Sequence, residues 1–290
     1  MKKILMRIQL YLPLIKSLQT GLLLATGVAG YMSARCPILS WGMLAGLIGS
    51  LFLAISGSTI LNMWHDRDID SVMNRTHHRP IASGRVAPND ALRLGLVLSV
   101  MGVLWAVWLH PLYGLVVFAG LFFDVVIYTI WLKRRTCWSI LWGGISGGMP
   151  ILAGRVLGLY SLGANVQIDM IGVLLTLAVL FWIPTHILTF SMRYFDDYQV
   201  ARIPTFASRY GFDFTRRVIA FSSVTATLCI AVAAIWIRVA WGYVHLLASL
   251  SGGLMILACL TVIRPSPRLN FGLFKYASVY MLLAMLLLSL

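Results

Sequence analysis

The stretch "WGMLAGLIGSLFLAISGSTILNMWHDRDIDSVMNRT", residues 41–76, decides the reading of this chain. Its first twenty residues carry no charge, which is long enough to cross a hydrocarbon core as a helix. Then Asp66, Asp68 and Asp70 arrive within five positions. An apolar span that ends in a knot of carboxylates is an unusual object. An ionised acid is costly at a membrane, so it needs a partner or a task.

Working outward, the 290-residue chain repeats the apolar half of that pattern. It is 60% hydrophobic and 11% charged, where a soluble domain carries about 25% charged residues. This composition excludes an ordinary soluble globule and indicates an all-α, polytopic membrane protein forming a single membrane domain over 1–290. Nine spans are expected, near 10–32, 38–63, 91–109, 112–132, 138–160, 168–192, 217–237, 241–263 and 271–290. The basic start and apolar run of the N-terminus resemble a signal peptide. The run is longer than a signal core and is interrupted by Lys16 and Gln19, so a retained first helix is expected.

With the N-terminus inside, nineteen of the 23 basic residues fall in inside segments. Arg35, Arg155 and Arg238 fall outside, and Lys16 lies within the first span. This asymmetry predicts a cell-membrane protein whose N-terminus and Asp-rich loops are cytoplasmic. The bilayer is then a partner, the basic excess belongs to topology and anionic headgroups, and no nucleic acid is expected. Spans two to five and six to nine read as two weakly related halves. Cys36, Cys137, Cys229 and Cys259 are scattered without metal spacing and read as structural thiols.

All nine acids are aspartates, and five of them sit in the clusters 66–70 and 196–197. Asn62, Asp66 and Asp70 recur every four residues and share one helical face. Oxygen ligands so placed suit Mg²⁺, which takes one or two carboxylates, keeps waters and bridges to phosphate. A solvated loop of surface ion pairs is the competing reading. Asp68 points elsewhere and is expected to pair, with Arg67 its neighbour. In "THILTFSMRYFDDYQVARIP" (185–204), His186, Phe190, Arg193 and Asp197 lie near one face, with Asp196 adjacent. The second cluster either joins the first around a diphosphate or caps and pairs locally with Arg193 and Arg202.

"RTHHRPIASGR" (75–85) and "YTIWLKRRT" (128–136) supply Arg75, Arg79, Lys133 and Arg134 as diphosphate-binding candidates. Guanidinium forks take phosphate oxygens in pairs, and lysine offers a point charge. Fixed cations would stabilise a leaving diphosphate more as its C–O bond breaks. If the leaving group is an isoprenoid's, an allylic cation results. An apolar bundle would shield it from water, and aromatic faces such as Trp64, Phe122, Phe123, Tyr128 and Phe190 would stabilise it. His77 and His78 read as solvated loop residues.

N-x-x-x-D-x-x-x-D on span two, D-D after span six and nine spans resemble the UbiA superfamily of intramembrane prenyltransferases. Within it, Asp66, Ile69, Asp70, Met73, Arg75, Thr76, Arg79 and Pro80 match the pattern of the protoheme IX farnesyltransferase branch. "PTHI" (184–187) and "DYQVARIP" (197–204) are similar to further elements of that branch. The resemblance implies a helical bundle with a central cavity open to the cytoplasmic side. It implies an Mg²⁺-dependent enzyme that transfers farnesyl from farnesyl diphosphate to a vinyl group of haem B, giving haem O. Asp66, Asp70 and Asp197 would be catalytic, and Asn62, Asp66, Asp70, Asp196 and Asp197 would hold metal. Arg75, Arg79, Lys133 and Arg134 would grip diphosphate, with His186 a candidate contact for the haem acceptor. His186 also reads as a polar helix residue bonding a neighbour's backbone, which needs no haem. Terminal-oxidase assembly proteins would be partners.

The chain departs from that branch at Arg202, at Thr205, Phe206 and Ala207, and at Met149 and Arg155, which bear on the acceptor more than on the diphosphate. Prenylation of a quinone precursor or a glycerophosphate lipid is therefore the alternative. A transporter, with Asp124 or Asp169 on an ion path, is the alternative of another class.

Overall fold

A computed structural model describes residues 11–35, 40–163 and 166–290. These residues are helical, with no strand among them. A 3₁₀ turn at Leu12–Ile15 leads into α1 (Ser17–Met32) and α2 (Trp41–His65), and the short α3 (Arg67–Val72) follows α2 directly. Then come α4 (Pro88–Leu109), α5 (Pro111–Leu132), α6 (Ser139–Ser161) and α7 (Met170–Arg193). The short α8 (Phe195–Val200) precedes α9 (Phe206–Ile237), α10 (Trp241–Ile263) and α11 (Pro267–Ser289).

Eight of these helices are long and apolar enough to cross a membrane. Together with α1 they account for the nine expected spans. The start of the first expected span, like Cys36, lies outside the described residues. Helix α9 begins eleven residues before the span expected at 217–237 and changes direction at Gly211. That glycine has φ 82°, a conformation which costs a residue without Cβ little. The apolar-run criterion missed this first segment because Arg209, Asp213, Arg216 and Arg217 dilute it. A capping box between Thr205 and Ser208 nevertheless starts the helix there.

The helices pack around two clusters of buried side chains, and α6 contributes to both. One core unites Leu47, Leu51, Tyr113, Val117 and Leu157 from α2, α5 and α6. Another unites Leu175, Ile219, Ile230, Leu254 and Tyr280 from α7, α9, α10 and α11. Buried hydroxyls pair beside each cluster, Ser50 with Tyr113 at 2.7 Å and Ser251 with Tyr280 at 3.0 Å. Lipid offers such groups no hydrogen bond, so they must find one within the bundle. Outward faces carry apolar side chains such as Trp108, Leu104 and Ile256.

Helix α1 lies along α6 and also meets α2 and α11. The α1–α6 crossing is close because it is built from glycines: a Cβ on Gly154 would run into the carbonyl oxygen of Gly27, and one on Gly30 into that of Ile151. At one end of the bundle, Arg155 pairs with Asp169 at 2.7 Å and donates to the backbone oxygen of Ser33. Asp169 also caps α7 through the amide of Gly172. This ties α1, α6 and α7 together. The other end carries α3, α8 and the loops holding both Asp clusters.

Candidate active site

Both Asp clusters arise from the same local construction. Helix α2 stops at His65, Asp66 sits at the joint with φ −87° and ψ 7°, and α3 restarts at once. The amide ladder still steps every fourth residue, from Asp66 to the carbonyl of Asn62 at 2.9 Å and from Asp70 to that of Asp66 at 2.8 Å. Thus Asn62, Asp66 and Asp70 keep nearly helical spacing across the break. Helix α7 does likewise: it stops at Arg193, Tyr194 forms the joint, and α8 carries Asp196 and Asp197. The two arms are packed together by Ile69, Met73 and Ile203, with Tyr198 and Ala201 against them.

Asp66 and Asp70 are buried, at 3% and 4% exposure. Each is matched by a cation from the diphosphate-binding candidates. Lys133, just past the end of α5, donates to Asp66 Oδ2. Arg79 Nη1 lies 2.9 Å and 2.8 Å from the two oxygens of Asp70. Burial alone would push the Asp66 carboxyl up; the Lys133 charge and hydrogen bonds from His65 and Lys133 outweigh it and hold the group at about 2. For Lys133, burial works to strip the proton, and the Asp66 charge more than compensates, raising its pKa. Both groups are charged at neutral pH.

Asn62 faces α5. Its amide nitrogen donates to Asp124 at 2.8 Å and its oxygen accepts from Thr129 at 2.9 Å. Ser58 also donates to Asp124. Asp124 lies in Phe122–Leu132, the half of α5 wound as a π-helix, a rare winding found frequently at functional sites. Spacing did not single out Asp124 for this site. The usable signal was its cost: an acid within a span needs polar partners, and Ser58 and Asn62 stand four apart on α2. Lys16 was likewise missed. It lies within electrostatic reach of Arg79, Lys133, Asp124 and Asp70, which places the one basic residue of the first expected span beside the cluster.

Asp197 joins the second arm to the first. Its two carboxylate oxygens accept from the backbone amides of Asn74 and Arg75 at 3.2 Å and 3.1 Å. It pairs with neither Arg193 nor Arg202 among the described residues. The loop so held puts the Arg75 guanidinium 4.8 Å from the Phe190 centroid and 5.6 Å from that of Tyr194. Arg75 Nε is buried with no acceptor, an N–H donor suited to an anion.

Other candidates lie apart. Asp196 is exposed on α8. Arg134 grips exposed Asp68 with both terminal nitrogens at 2.7 Å and caps the His65 carbonyl at 3.0 Å. Arg67, the expected partner of Asp68, instead donates to the Trp64 carbonyl and lies 5.3 Å from that residue's ring centroid. His186 sits deeper in α7, between the rings of Trp182 at 5.0 Å and Phe274 at 4.6 Å. Its Nδ1 lies 3.2 Å from Ser278 Oγ, so it meets a side chain and not a neighbour's backbone. His77 contacts the carbonyl of Asn74 in the exposed loop. A cleft of about 320 Å³ opens between α3 and α8, lined by Asp68, Val72, Arg134 and Arg202.

Among the described residues no three acids, histidines or cysteines form a ready metal cage. The donor set fits a different arrangement. Two buried carboxylates, each with an exchangeable cation beside it, suit a divalent ion that arrives with phosphate oxygens and keeps waters. A helical membrane bundle with paired acids and basic side chains at one end is the architecture of an enzyme for anionic, lipid-like substrates. The family model described as the UbiA prenyltransferase family matches residues 23–287. The chain belongs to that family. A protoheme IX farnesyltransferase of Archaeoglobus fulgidus is 38% identical over 236 residues, covering 81% of this chain and 80% of the relative. Among solved structures, digeranylgeranylglyceryl phosphate synthase in membranes superposes with TM-score 0.80 at 18% identity, covering 97% of both chains. A UbiA homologue from A. fulgidus bound to GPP and Mg²⁺ does so with TM-score 0.69 at 13% identity, over 97% of this chain and 100% of the other. At those identities the two structures establish the fold alone. The protein is a multi-pass membrane protein.

Proposed function

We propose that this chain, acting as one membrane domain over 1–290, converts haem B to haem O. It would transfer farnesyl from farnesyl diphosphate to a porphyrin vinyl group. The relative named protoheme IX farnesyltransferase supports this reading. The observation that carries it is the pairing of Asp66 with Lys133 and Asp70 with Arg79, together with the Arg75 loop that Asp197 holds.

The A. fulgidus homologue bound to GPP and Mg²⁺ supports a divalent ion here too. Asp66 and Asp70, with the Asn62 oxygen, are the residues that would hold Mg²⁺; Asp197 serves the site by holding the Arg75 loop, and Asp196 lies apart on α8. When bound, Mg²⁺ supplies charge neutralisation to the diphosphate and makes it a better leaving group.

The chain's own groups do the rest. With Asp66 and Asp70 given to the ion, Lys133 and Arg79 would be free to take diphosphate oxygens, joined by Arg75 Nε; Arg134, once drawn from Asp68, would add a fork. Lys16 adds charge from the first helix. These cations stabilise the leaving group as the C–O bond breaks and the electron pair departs with diphosphate. The allylic cation left behind is shielded from water by the bundle, with Phe190 and Tyr128 as aromatic faces nearby. The vinyl π pair bonds to farnesyl C1. Water then adds to the ring-adjacent carbon and loses one proton, giving the hydroxyethylfarnesyl side chain. His186 is the candidate contact for the acceptor.

This reading places the protein in the cell membrane with the Asp-bearing end cytoplasmic, supplying haem to terminal-oxidase assembly. The test is mass spectrometry of haems after incubation with labelled farnesyl diphosphate and haem B. The expected product is heavier than haem B by one farnesyl and one hydroxyl group. Label appearing only in a quinone-like or lipid product would overturn the acceptor assignment.

A further inference from the structure

Two cations that the mechanism above does not use share one aromatic ring beside the site. Arg193 closes α7, and its guanidinium carbon lies 3.7 Å from the Phe271 centroid. Lys275, one turn further along α11, holds its ammonium 4.7 Å from the same centroid. Both are exposed, and among the described residues neither pairs with a carboxylate. The ring face attracts each cation by about 0.5–1 kcal/mol without cancelling its charge. The result is a fixed double positive charge with no carboxylate paired to it among the described residues.

From Phe271 an aromatic file leads along α7 and α11. Phe274 lies against Phe271 at 5.9 Å with planes 8° apart. His186 stacks on Phe274 at 28°, and Trp182 on His186 at 24°. The file is fastened: Trp182 Nε1 donates to the Ala277 carbonyl at 2.7 Å, and His186 meets Ser278. Phe190, which carries Arg75 on its ring, touches Phe274 at 5.7 Å. The file therefore begins at two bare cations and borders the diphosphate cluster.

A ligand complementary to this arrangement is flat and aromatic, with two carboxylates on one edge. We propose that Arg193 and Lys275 dock the two propionate carboxylates of the porphyrin acceptor, laying the macrocycle along the Phe274–His186 file. This rests on the proposed acceptor. In protoporphyrin the vinyl groups lie on the edge opposite the propionates, so anchoring the acid edge at the rim directs the reactive edge inward. Arg193 and Lys275 thus act as orienting, specificity-determining residues. Phosphates of anionic lipid headgroups share the same chemistry, and the experiment separates the two.

The full chain in nanodiscs is titrated with zinc protoporphyrin IX and with its dimethyl ester, following porphyrin fluorescence, alongside turnover of haem B. Wild type should bind the diacid about tenfold or more tightly than the ester, as expected for two charge-assisted contacts. The variant R193Q/K275Q should lose that preference, bind the ester as wild type does, and keep its KM for farnesyl diphosphate. Equal binding of acid and ester by wild type, or a preference retained in the variant, overturns the proposal. So does a deficit that disappears when anionic lipid is replaced by phosphatidylcholine, which assigns the cations to headgroups. Haem farnesylation without acid–ester discrimination would sink this inference and leave the proposed function standing. Discrimination through these two residues without farnesylated haem would do the reverse.

Discussion

Lys133 and Asp66 form an ion pair between the end of α5 and the joint that closes α2, in a pocket where Asp66 is almost fully buried. Asp66 titrates at about 2, below the ordinary aspartate value of about 3.9. A lowered carboxylate contributes stability that is complete above its unfolded pKa and is lost as pH falls through the folded one. Lys133 is raised, so its share is complete below the ordinary lysine value and is lost only above it. The pair is therefore intact through neutral pH and fails between about pH 4 and 2. Asp66→Asn strands Lys133 and should lower unfolding stability by about 1–3 kcal/mol. Thermal scans in detergent should show a constant gap between wild type and variant from pH 5 to 9, closing below about pH 4. A gap unchanged down to pH 2 would deny the pair its role.

The same carboxylate is assigned to the chemistry. Asp66→Asn and Asp70→Asn should each reduce prenyl transfer at least about a hundredfold, with added Mg²⁺ recovering little. Circular dichroism at pH 7 should show the helices retained. Wild-type turnover in either variant would remove that carboxylate from the site.

Asp197 is expected to act by holding a loop. It satisfies two backbone amides, so Asp197→Ala leaves both unpaired and frees the segment that carries Arg75. Asp197→Asn keeps one acceptor oxygen. The expected order of turnover is wild type, then Asn, then Ala, with KM for farnesyl diphosphate rising in the same order. Protease cleavage near 74–78 should rise only in the Ala variant. Equal collapse of Asn and Ala without new cleavage would instead point to direct metal ligation by Asp197.

What the sequence made legible follows the period of its signals. Apolar runs and the asymmetry of basic residues gave the spans, and the four-residue spacing gave Asn62, Asp66 and Asp70. Pairing between distant segments has no such period. Nothing in the sequence indicates that Arg134 takes Asp68 while Lys133, its neighbour, takes Asp66. That division appears only once the end of α5 is set against the joint between α2 and α3. Nor does spacing reveal that Asp197 faces amides 122 and 123 residues away. The early start of α9 was hidden for another reason: its first segment is too charged to read as a span, although Thr205 and Ser208 cap it.

The contrast between the Arg134–Asp68 and Arg79–Asp70 pairs is itself testable. Arg134 and Asp68 are largely exposed, and such pairs contribute about 0–1 kcal/mol. Asp68→Asn should therefore leave stability within about 0.5 kcal/mol and turnover near wild type. Arg79 pairs with buried Asp70, so Arg79→Gln should lower both stability and affinity for inorganic diphosphate. Diphosphate titration by calorimetry would rank them. A larger loss from Asp68→Asn than from Arg79→Gln would put the binding site in the outer cleft between α3 and α8.

The far end of the bundle tests how packing reaches the site. Gly154 faces the Gly27 carbonyl so closely that a methyl group has no room, and the neighbour is backbone, which cannot rotate aside. Gly154→Ala must push α1 from α6, at a cost of about 1–3 kcal/mol by the usual penalty for overpacking. Gly252, with open space where a Cβ would go, is the control: Gly252→Ala sits within α10 and should be neutral or slightly stabilising. Because α1 starts beside Lys16, displacing it should also weaken diphosphate binding, although Gly154 lies at the far end of the membrane crossing. Detergent melts and diphosphate titrations of the two variants separate these effects. Loss of stability in Gly154→Ala with undiminished diphosphate affinity would show that α1 holds the bundle together and contributes nothing to the site.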